Sequence, residues 1–338
     1  MLTAAKISVT LGNLRYDTQV SALQVTCSLL PAVNTARVLF PAAVTINAAP
    51  ADEAEVSIDA GDGAVKVLSG LIQSVEHRPF DTTVVISDGS YALSNYRPNA
   101  TFEKQNAANI AQTLASDIDV GVANTDIDLS IPQYAAHQKR SAAEHIAILA
   151  KLSDGFAMIN ADGELSVKNW PEGPADAAIK YGRDLIDFNF SRHQSTHSVA
   201  PIGNGPSGSI DGPDALRLAT SQLPESVPDP GQNLVWQPQL MLRTPAAVQT
   251  AQSGLARERN QRAGQAQFIN LLRPDFTPGM TLEIQDIPNV NVADKWIITQ
   301  VTHEIAQGSH ARTIMKAHET AGTGGLLDSL AGALGAFL

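Results

Sequence analysis

Apolar and polar residues alternate with a period of two along most of the first hundred positions. The pattern runs from Ile7 to Leu11 and again from Leu23 to Leu29. A period of two is typical of strands that bury one face. Turn-forming residues, such as those at 61–63, separate these runs. Many short strands at this spacing predict a small β-barrel or sandwich over residues 1–98.

The period changes between residues 99 and 176. Apolar residues recur every four positions from Ile110 to Ile118, which places one apolar stripe along a helix. Ser141 begins a second helix, and Glu144 stands three residues later, as in a capping box. A hairpin closed around residues 160–163 follows. The order helix, helix, hairpin predicts a small α+β domain over 99–176.

Residues 177–320 return to short β-rich runs with two interruptions. Gly and Pro are dense over 200–235, a composition that makes a long loop, and long loops are often functional. A helix is predicted over about 245–265, with proline in its first turn. Within the β-rich runs that follow, Ile297 and Val301 are expected to share one strand face. The three strands predicted there are 280–284, 296–305 and 313–317.

The last segment, 321–338, begins with a Gly-rich stretch and is otherwise mostly apolar. Its leucines recur at four-residue spacing, so a helix here would carry a wide apolar face. Three roles stay open, namely a terminal helix folded back onto its own barrel, a peptide that docks on another chain, or membrane contact. The candidate docking residues are Leu326, Leu327, Leu330, Leu334 and Phe337.

Composition narrows the class of protein. A length of 338 residues allows two or three domains with substantial cores. The net charge of -11 argues against a nucleic-acid-binding surface, which needs clustered Lys and Arg, and against docking on an anionic membrane. No stretch approaches the roughly 20 apolar residues that span a bilayer, so stable membrane insertion is not expected. Cys27 is the single cysteine and lies in an alternating run, which predicts a core-facing thiol and no intrachain disulfide.

Candidate catalytic and metal-binding groups are few. His193 and His197 have i, i+4 spacing, but no Glu follows His193 and no third ligand is near. His303 is interpreted as a hydrogen-bonded core histidine because it shares a strand face with apolar residues. Asp126 and Asp128 alternate with apolar residues, which predicts a solvated strand face rather than a glycosidase acid pair. No catalytic residue, cofactor or metal ion is therefore predicted.

Short motifs in a fixed order link the chain to a known family. They are Leu68–Ile72 and Val84–Gly89 in the first β region, Leu93 and Tyr96–Pro98 at the crossover, Gln105–Leu114 and Ser141–Leu165 in the insert, and Gly279–Met280, Leu282, Trp296–Ile298 and Val301–His303 in the second β region. In this order the chain resembles the phage late control D family of baseplate hubs, which includes the hub portion of the type VI secretion spike proteins called VgrG. The resemblance covers nearly the whole chain.

The resemblance implies a fold and a role. The fold class is mainly β with an α+β insert, in which two similar small, tube-like β-barrel domains, 1–98 and 177–320, flank the insert. Three subunits would form a homotrimeric ring of six barrels with a central channel. That ring would adapt a six-fold tail tube to a three-fold spike in a contractile phage tail or a related contractile injection system. The protein would be structural, without enzyme activity or cofactor.

Partners and location follow from the same resemblance. The implied partners are the tail tube protein, a separate spike protein, other baseplate proteins and the tape-measure protein. DNA or effector would pass through the channel only as transit cargo. The spike is expected on another polypeptide because the sequence stops at residue 338, before any OB-fold or β-helical spike. The location would be the tail or baseplate of a virion assembled in the bacterial host cytoplasm.

A different class of function stays open beside the hub. The chain could be a peptidoglycan-acting or glycan-binding tail protein, with the middle domain as the lytic or binding part. A lytic protein needs a convergent acid pair in a cleft. Glycan binding usually needs exposed aromatic side chains, and an aromatic content of only 5% argues against it.

Overall fold

The structure is a computed structural model that describes residues 5–193, 198–203, 219–220, 234–239, 241–287 and 295–320. Most of the predicted loop 200–235 lies outside the described residues. So does the whole segment 321–338, and with it the candidate docking residues Leu326, Leu327, Leu330, Leu334 and Phe337.

The first β region contains seven antiparallel strands. They are β1 (Lys6–Leu11), β2 (Leu14–Tyr16), β3 (Ala22–Ser28), β4 (Thr35–Pro41), β5 (Glu53–Asp59), β6 (Ala64–His77) and β7 (Asp81–Ser87). The strands pair in the order β2-β1-β5-β6-β7-β4-β3. Val9, Val38 and Val56 are fully buried while their neighbours along each strand are more exposed, as the period of two predicts.

The insert places three helices beside two small sheets. Its elements are α1 (Gly89–Asn95), β8 (Ala100–Asn106), α2 (Ala107–Ser116), β9 (Val122–Thr125), β10 (Ser130–Ala136), α3 (Ala142–Leu152), β11 (Gly155–Ile159) and β12 (Leu165–Asn169). β8 pairs with β10, and β12 lies between β9 and β11. The predicted capping box is confirmed, because the Ser141 N–H donates to Glu144 Oε2 at 2.6 Å and the Glu144 N–H donates to Ser141 Oγ at 3.2 Å.

The second β region follows the insert and, among its described residues, contains one helix. Its elements are β13 (Ala177–Lys180), β14 (Leu185–Arg192), β15 (Ser198–Gly203), β16 (Ala219–Thr220), β17 (Leu234–Gln239), α4 (Pro245–Ala263), β18 (Gly264–Leu271), β19 (Thr281–Gln285), β20 (Lys295–Ala306) and β21 (His310–Glu319). β15, β16 and β17 form a small separate sheet. None of the described helices is both long and apolar enough to cross a membrane.

One continuous sheet joins the two β regions. β20 pairs with β3 in antiparallel register, from Gln300 opposite Ser28 to Ala306 opposite Ala22. The main strand order is therefore β14-β18-β21-β20-β3-β4-β7-β6-β5-β1-β2, with β19 and β13 branching from β20. The expected fold class, mainly β with an α+β insert between two β regions, is confirmed. Among the described strands the pairing order is open, so closure of each region into a tube stays a prediction.

Helix α4 packs against the insert, although it lies within the second β region along the chain. Val248, Ala251 and Leu255 are buried in the same apolar cluster as the insert helices. The guanidinium of Arg257 in α4 also pairs with the Asp154 carboxylate, with Nε to Oδ1 at 2.7 Å. Each β region has its own apolar cluster. The helix thus links the second β region to the insert.

Three details differ from the sequence prediction. Within the predicted loop 200–235, the described residues form β16 and parts of β15 and β17. The helix predicted to reach 265 ends at Ala263, and the unpredicted strand β18 starts immediately after it. The prediction that Ile297 and Val301 share a face is wrong, because β20 has a register shift between Ile298 and Gln300. A bulge adds one residue and reverses the side of every residue before it. Ile298 therefore lies on the face of Val301, and Ile297 lies on the opposite face.

Candidate functional site

A buried polar cluster fixes the exit from the first β region into the insert. Asp88 caps α1, with its Oδ1 accepting from the backbone N–H of Ser90 at 2.9 Å and from Ser90 Oγ at 2.5 Å. Its Oδ2 accepts from Asn34 Nδ2 at 2.7 Å. Burial raises the pKa of Asp88, while the hydrogen bonds from Ser90 and Asn34 oppose that rise. Each of these polar groups is hydrogen-bonded to a neighbour. The cluster therefore positions the chain and holds no reactive group.

A buried pair formed by Tyr134 and His145 lies in the core of the insert. The His145 ring is in contact with Tyr134, with Oη to Nδ1 at 2.7 Å, and its Nε2 lies 3.1 Å from the carbonyl oxygen of His137. Because a carbonyl only accepts, Nε2 donates and Nδ1 accepts from the tyrosine hydroxyl. Burial lowers the pKa of His145, which favours this neutral form. The pair is a satisfied structural contact.

His303 is buried between the two β regions, as a core histidine should be. Only 2% of it is exposed, and its Nδ1 lies 3.1 Å from Thr313 Oγ1. Burial lowers the pKa of His303 to about 4, so the ring is neutral at pH 7. Val301 and Ile305 are buried beside it on the same strand face. The interpretation as a hydrogen-bonded core residue is confirmed.

The structure does not arrange Asp126 and Asp128 as the acid pair of a glycosidase. Asp126 and Asp128 are exposed on the segment between β9 and β10, while Ile127 is buried. Asp126 accepts from the amide of Asn124 at 2.6 Å, and Asp128 accepts from the amide of Asn106 at 2.6 Å. Their pattern is the predicted solvated face, although the segment itself is not a strand.

The remaining candidate groups give no reactive centre in the described part of the chain. His193 is exposed just after β14, and His197 lies outside the described residues. No group of three or more His, Cys, Asp or Glu side chains within the described ranges could hold a metal ion. The Cys27 thiol lies 3.7 Å from the carbonyl oxygen of Val67, and burial raises its pKa to about 12, so it stays protonated.

Among the described residues, two clefts lie between the insert and the β regions. The first, named the α3 cleft, measures about 530 Å³ and is bounded by the loop 28–32, the outer side of α3, Trp170, α4 and the outward face of β20 and β21. Phe156 stacks on Trp170 with ring centroids 4.7 Å apart. Ala147 and Ile148 of α3 add apolar surface, and charged side chains such as Lys151 stand among the lining residues.

The second cleft is more polar and lies between the first β region and the insert. It measures about 740 Å³ and carries several carboxylates, which include Glu53, Glu55, Asp119, Asp162 and Glu164. The ammonium of Lys66 pairs with Asp162 and lies 4.0 Å from Glu55. Since carboxylates in contact with water need no ligand, the cleft is interpreted as a solvated surface.

Some large apolar side chains are exposed on the outside. Phe80, at the tip of the hairpin between β6 and β7, is 88% exposed. Ile186 on β14 is 55% exposed. Leu14 and Leu71 of the first β region are each 45% exposed. Single exposed apolar side chains are common on protein surfaces, and the ring of Phe80 is accessible to another molecule.

Sequence reasoning found part of this arrangement. It included Asp88 in the motif Val84–Gly89, and an Asp directly before a helix is an N-cap signal. It missed Asn34, because no local pattern marks a residue whose partner lies 54 positions away. It also missed both clefts, since each is formed by elements far apart in the chain.

Comparison with known proteins identifies the fold. No protein family and no curated protein matches the sequence. A 43 kDa tail protein of the prophage MuSo2 from Shewanella oneidensis has a TM-score of 0.68 at 12% identity, covering 93% of this chain and 98% of that one. A tail protein from Neisseria meningitidis has a TM-score of 0.71 at 12% identity, covering 94% of this chain and 97% of that one.

A third similar structure comes from a secretion machine. It is an E. coli component of the type VI secretion system, described as structurally similar to T4 bacteriophage tail proteins. Its TM-score is 0.61 at 11% identity, covering 93% of this chain and 77% of that one. At such identities the likeness establishes a fold that phage tail and type VI secretion proteins share. The resemblance expected from the sequence is confirmed at that level.

Proposed function

We propose that this chain is a structural subunit of a phage tail or a related contractile injection machine, and that it works as the baseplate hub. The observation that carries the proposal is the shared fold, which extends over nearly the whole length of this chain and of two tail proteins, one of them from a prophage. Fold alone does not fix function. The candidate reactive groups that the structure describes add support, because they are either engaged in structural hydrogen bonds or exposed singly.

The hub acts as a homotrimeric ring. Each subunit brings two β regions, so three subunits supply six, the number needed to meet a six-fold tail tube. The pairing of β3 with β20 supports this arrangement, because it holds the two β regions of one subunit in fixed register. The main sheet ends at β2 on one side and β14 on the other. Rotational closure of a ring limits the assembly to a defined size.

The ring joins the tail tube protein above to a three-fold, separate spike protein below. Other baseplate proteins surround it, and the tape-measure protein lies in its central channel. The net charge of -11 suits a channel through which DNA or effector passes without binding. The subunit belongs to the tail or baseplate of the virion and is assembled in the host cytoplasm.

The assembly state tests the hub. Multi-angle light scattering of the purified chain should give a particle of three times 35.7 kDa. Negative-stain class averages of the same sample should show a ring of six lobes around a central hole. A single-subunit mass at every concentration tested would overturn the ring.

The same preparation also separates the hub from the lytic alternative. We expect no release of soluble fragments from purified peptidoglycan by the wild-type chain. Hydrolysis that is lost in Asp126→Asn and kept in a control variant, Asp187→Asn, would replace the hub proposal by a lytic function. Asp187 is a suitable control because it is an exposed carboxylate on β14, outside the insert.

A further inference from the structure

The α3 cleft is an apolar surface flanked by charged groups. Ile148 and Trp170 are only half-buried although both pack against core side chains. Arg140, Glu144 and Lys151 lie among the other lining residues. A volume of about 530 Å³ is within the range of pockets that enclose a compact ligand. The cleft can therefore accept one apolar face of a short helix rather than a whole domain.

The described chain ends two residues beyond this cleft. His318 of β21 is one of its lining residues. Thr320, the last described residue, is held beside β20 because its N–H donates to the Lys295 carbonyl at 3.1 Å. Residues two apart on an extended chain point to the same side, so Thr320 follows His318 on the cleft side of the sheet.

The segment that comes next has the length and pattern to fill the cleft. Residues 321–325 are Ala-Gly-Thr-Gly-Gly and can span at most about 18 Å. Residues 326–337 would form a helix about 18 Å long. Leu327, Leu330, Leu334 and Phe337 recur at spacings of three and four, which aligns them along one helix face. Asp328 and Ser329 are the polar residues of this stretch.

We propose that residues 326–337 fold back as an amphipathic helix and occupy the α3 cleft of their own subunit. Leu327, Leu330 and Leu334 then cover Ile148 and Trp170, and Asp328 stays at the charged border. A tether of five residues keeps the segment at a millimolar effective concentration beside the cleft. A free partner or the tail of a second copy has no such advantage. This docking concerns each subunit separately and does not depend on ring closure.

Hydrogen–deuterium exchange on the full-length chain tests the docking. We expect backbone amides of 326–337 to exchange about tenfold more slowly in the wild type than in Leu330→Asp, because the charge cannot enter the apolar cleft. Ser329→Asp is the matched control, since it adds the same charge on the polar side of the helix and should leave exchange unchanged. Rapid exchange of 326–337 in the wild type overturns the proposal.

A second pair of variants tests the cleft itself. Ile148→Asp should release 326–337 to rapid exchange, whereas Ile186→Asp, the same change at an exposed isoleucine on β14, should not. Slow exchange of α2, β11 and β12 in both variants shows that the fold of the insert is kept. Continued protection of 326–337 in a folded Ile148→Asp chain overturns docking in this cleft. Protection that falls on dilution assigns the segment to a second copy instead and overturns docking within one subunit.

Discussion

His303 shows what single polar residues contribute to this protein. The strand pattern places it among apolar neighbours, and the structure gives it one hydrogen-bond partner, Thr313, on the adjacent strand β21. A buried imidazole is tolerated only in its neutral form, because charging it without water is unfavourable. Asp88 is the acidic counterpart, since its capping bonds oppose the effect of burial. The contribution of each residue to stability therefore depends on its burial and on the hydrogen bonds that its neighbours supply.

The lowered pKa of His303 makes folding sensitive to acid. The folded pKa is about 4 and the ordinary value is 6.5, so the unfolded chain binds the proton first as the pH falls. The contribution of the neutral ring is complete above pH 6.5 and declines as the pH falls towards 4. The wild type should lose about 3 kcal/mol relative to His303→Gln between pH 7 and pH 4. Urea unfolding of both chains at several pH values measures this difference.

His310→Gln is the control for the acid effect. His310 is exposed at the first position of β21, so its replacement removes a histidine outside the core and should leave the unfolding free energy within about 0.5 kcal/mol of the wild type. Parallel stability curves for the wild type and His303→Gln would contradict the assigned pKa.

At the scale of elements, packing depends on the points at which two backbones approach each other closely. The bulge in β20 lets Trp296 and Ile298 face the core of the second β region together with Val301. Helix α4 lies against the C-terminal end of α3, and Gly254 is the residue at the contact. A side chain at Gly254 would overlap the carbonyl oxygen of Lys151. Gly254 is therefore required because α3 lies so close to it, and not because of its own backbone conformation.

Gly254→Ala should destabilise the protein by about 2 kcal/mol, because the added methyl group must push α4 away from α3. In an isolated helix the same change is stabilising by about 1 kcal/mol, so the sign of the effect tests the contact. Ser253→Ala is the matched control at the neighbouring, exposed position of α4, and it should change stability by less than about 0.5 kcal/mol. A higher unfolding midpoint for Gly254→Ala than for the wild type would show that the helices do not touch there.

At the scale of the whole molecule, the sheet that runs through both β regions presents a rigid surface with a few apolar side chains left outside. Phe80 extends from the β6–β7 hairpin with 88% of its surface exposed. A hairpin tip far from the core contributes little to folding. In a ring of identical subunits, the side chain of Phe80 can be buried against a neighbouring subunit.

Phe80→Ser should leave the unfolding free energy of the subunit within about 0.5 kcal/mol of the wild type, since no buried contact is lost. The same variant should form fewer trimers at equal concentration, because an apolar anchor at the subunit contact is removed. Light scattering over a dilution series measures the trimer fraction, and chemical denaturation measures the stability. Arg78→Ser on the same hairpin is the control, since it removes only a surface pair with Glu76. Equal trimer fractions for Phe80→Ser and the wild type would exclude the hairpin tip from the contact.

The sequence by itself determined the local elements and their order. Period-two and period-four patterns, the Ser141 capping box and the glycine turns act over a few residues, so they predict strands, helices and the two β regions around an α+β insert. Only the tertiary structure decided which distant elements meet. The pairing of β3 with β20, the packing of α4 on the insert and the α3 cleft each join residues more than a hundred positions apart. Such contacts depend on the shape and register of whole elements, and no local pattern of residues encodes them.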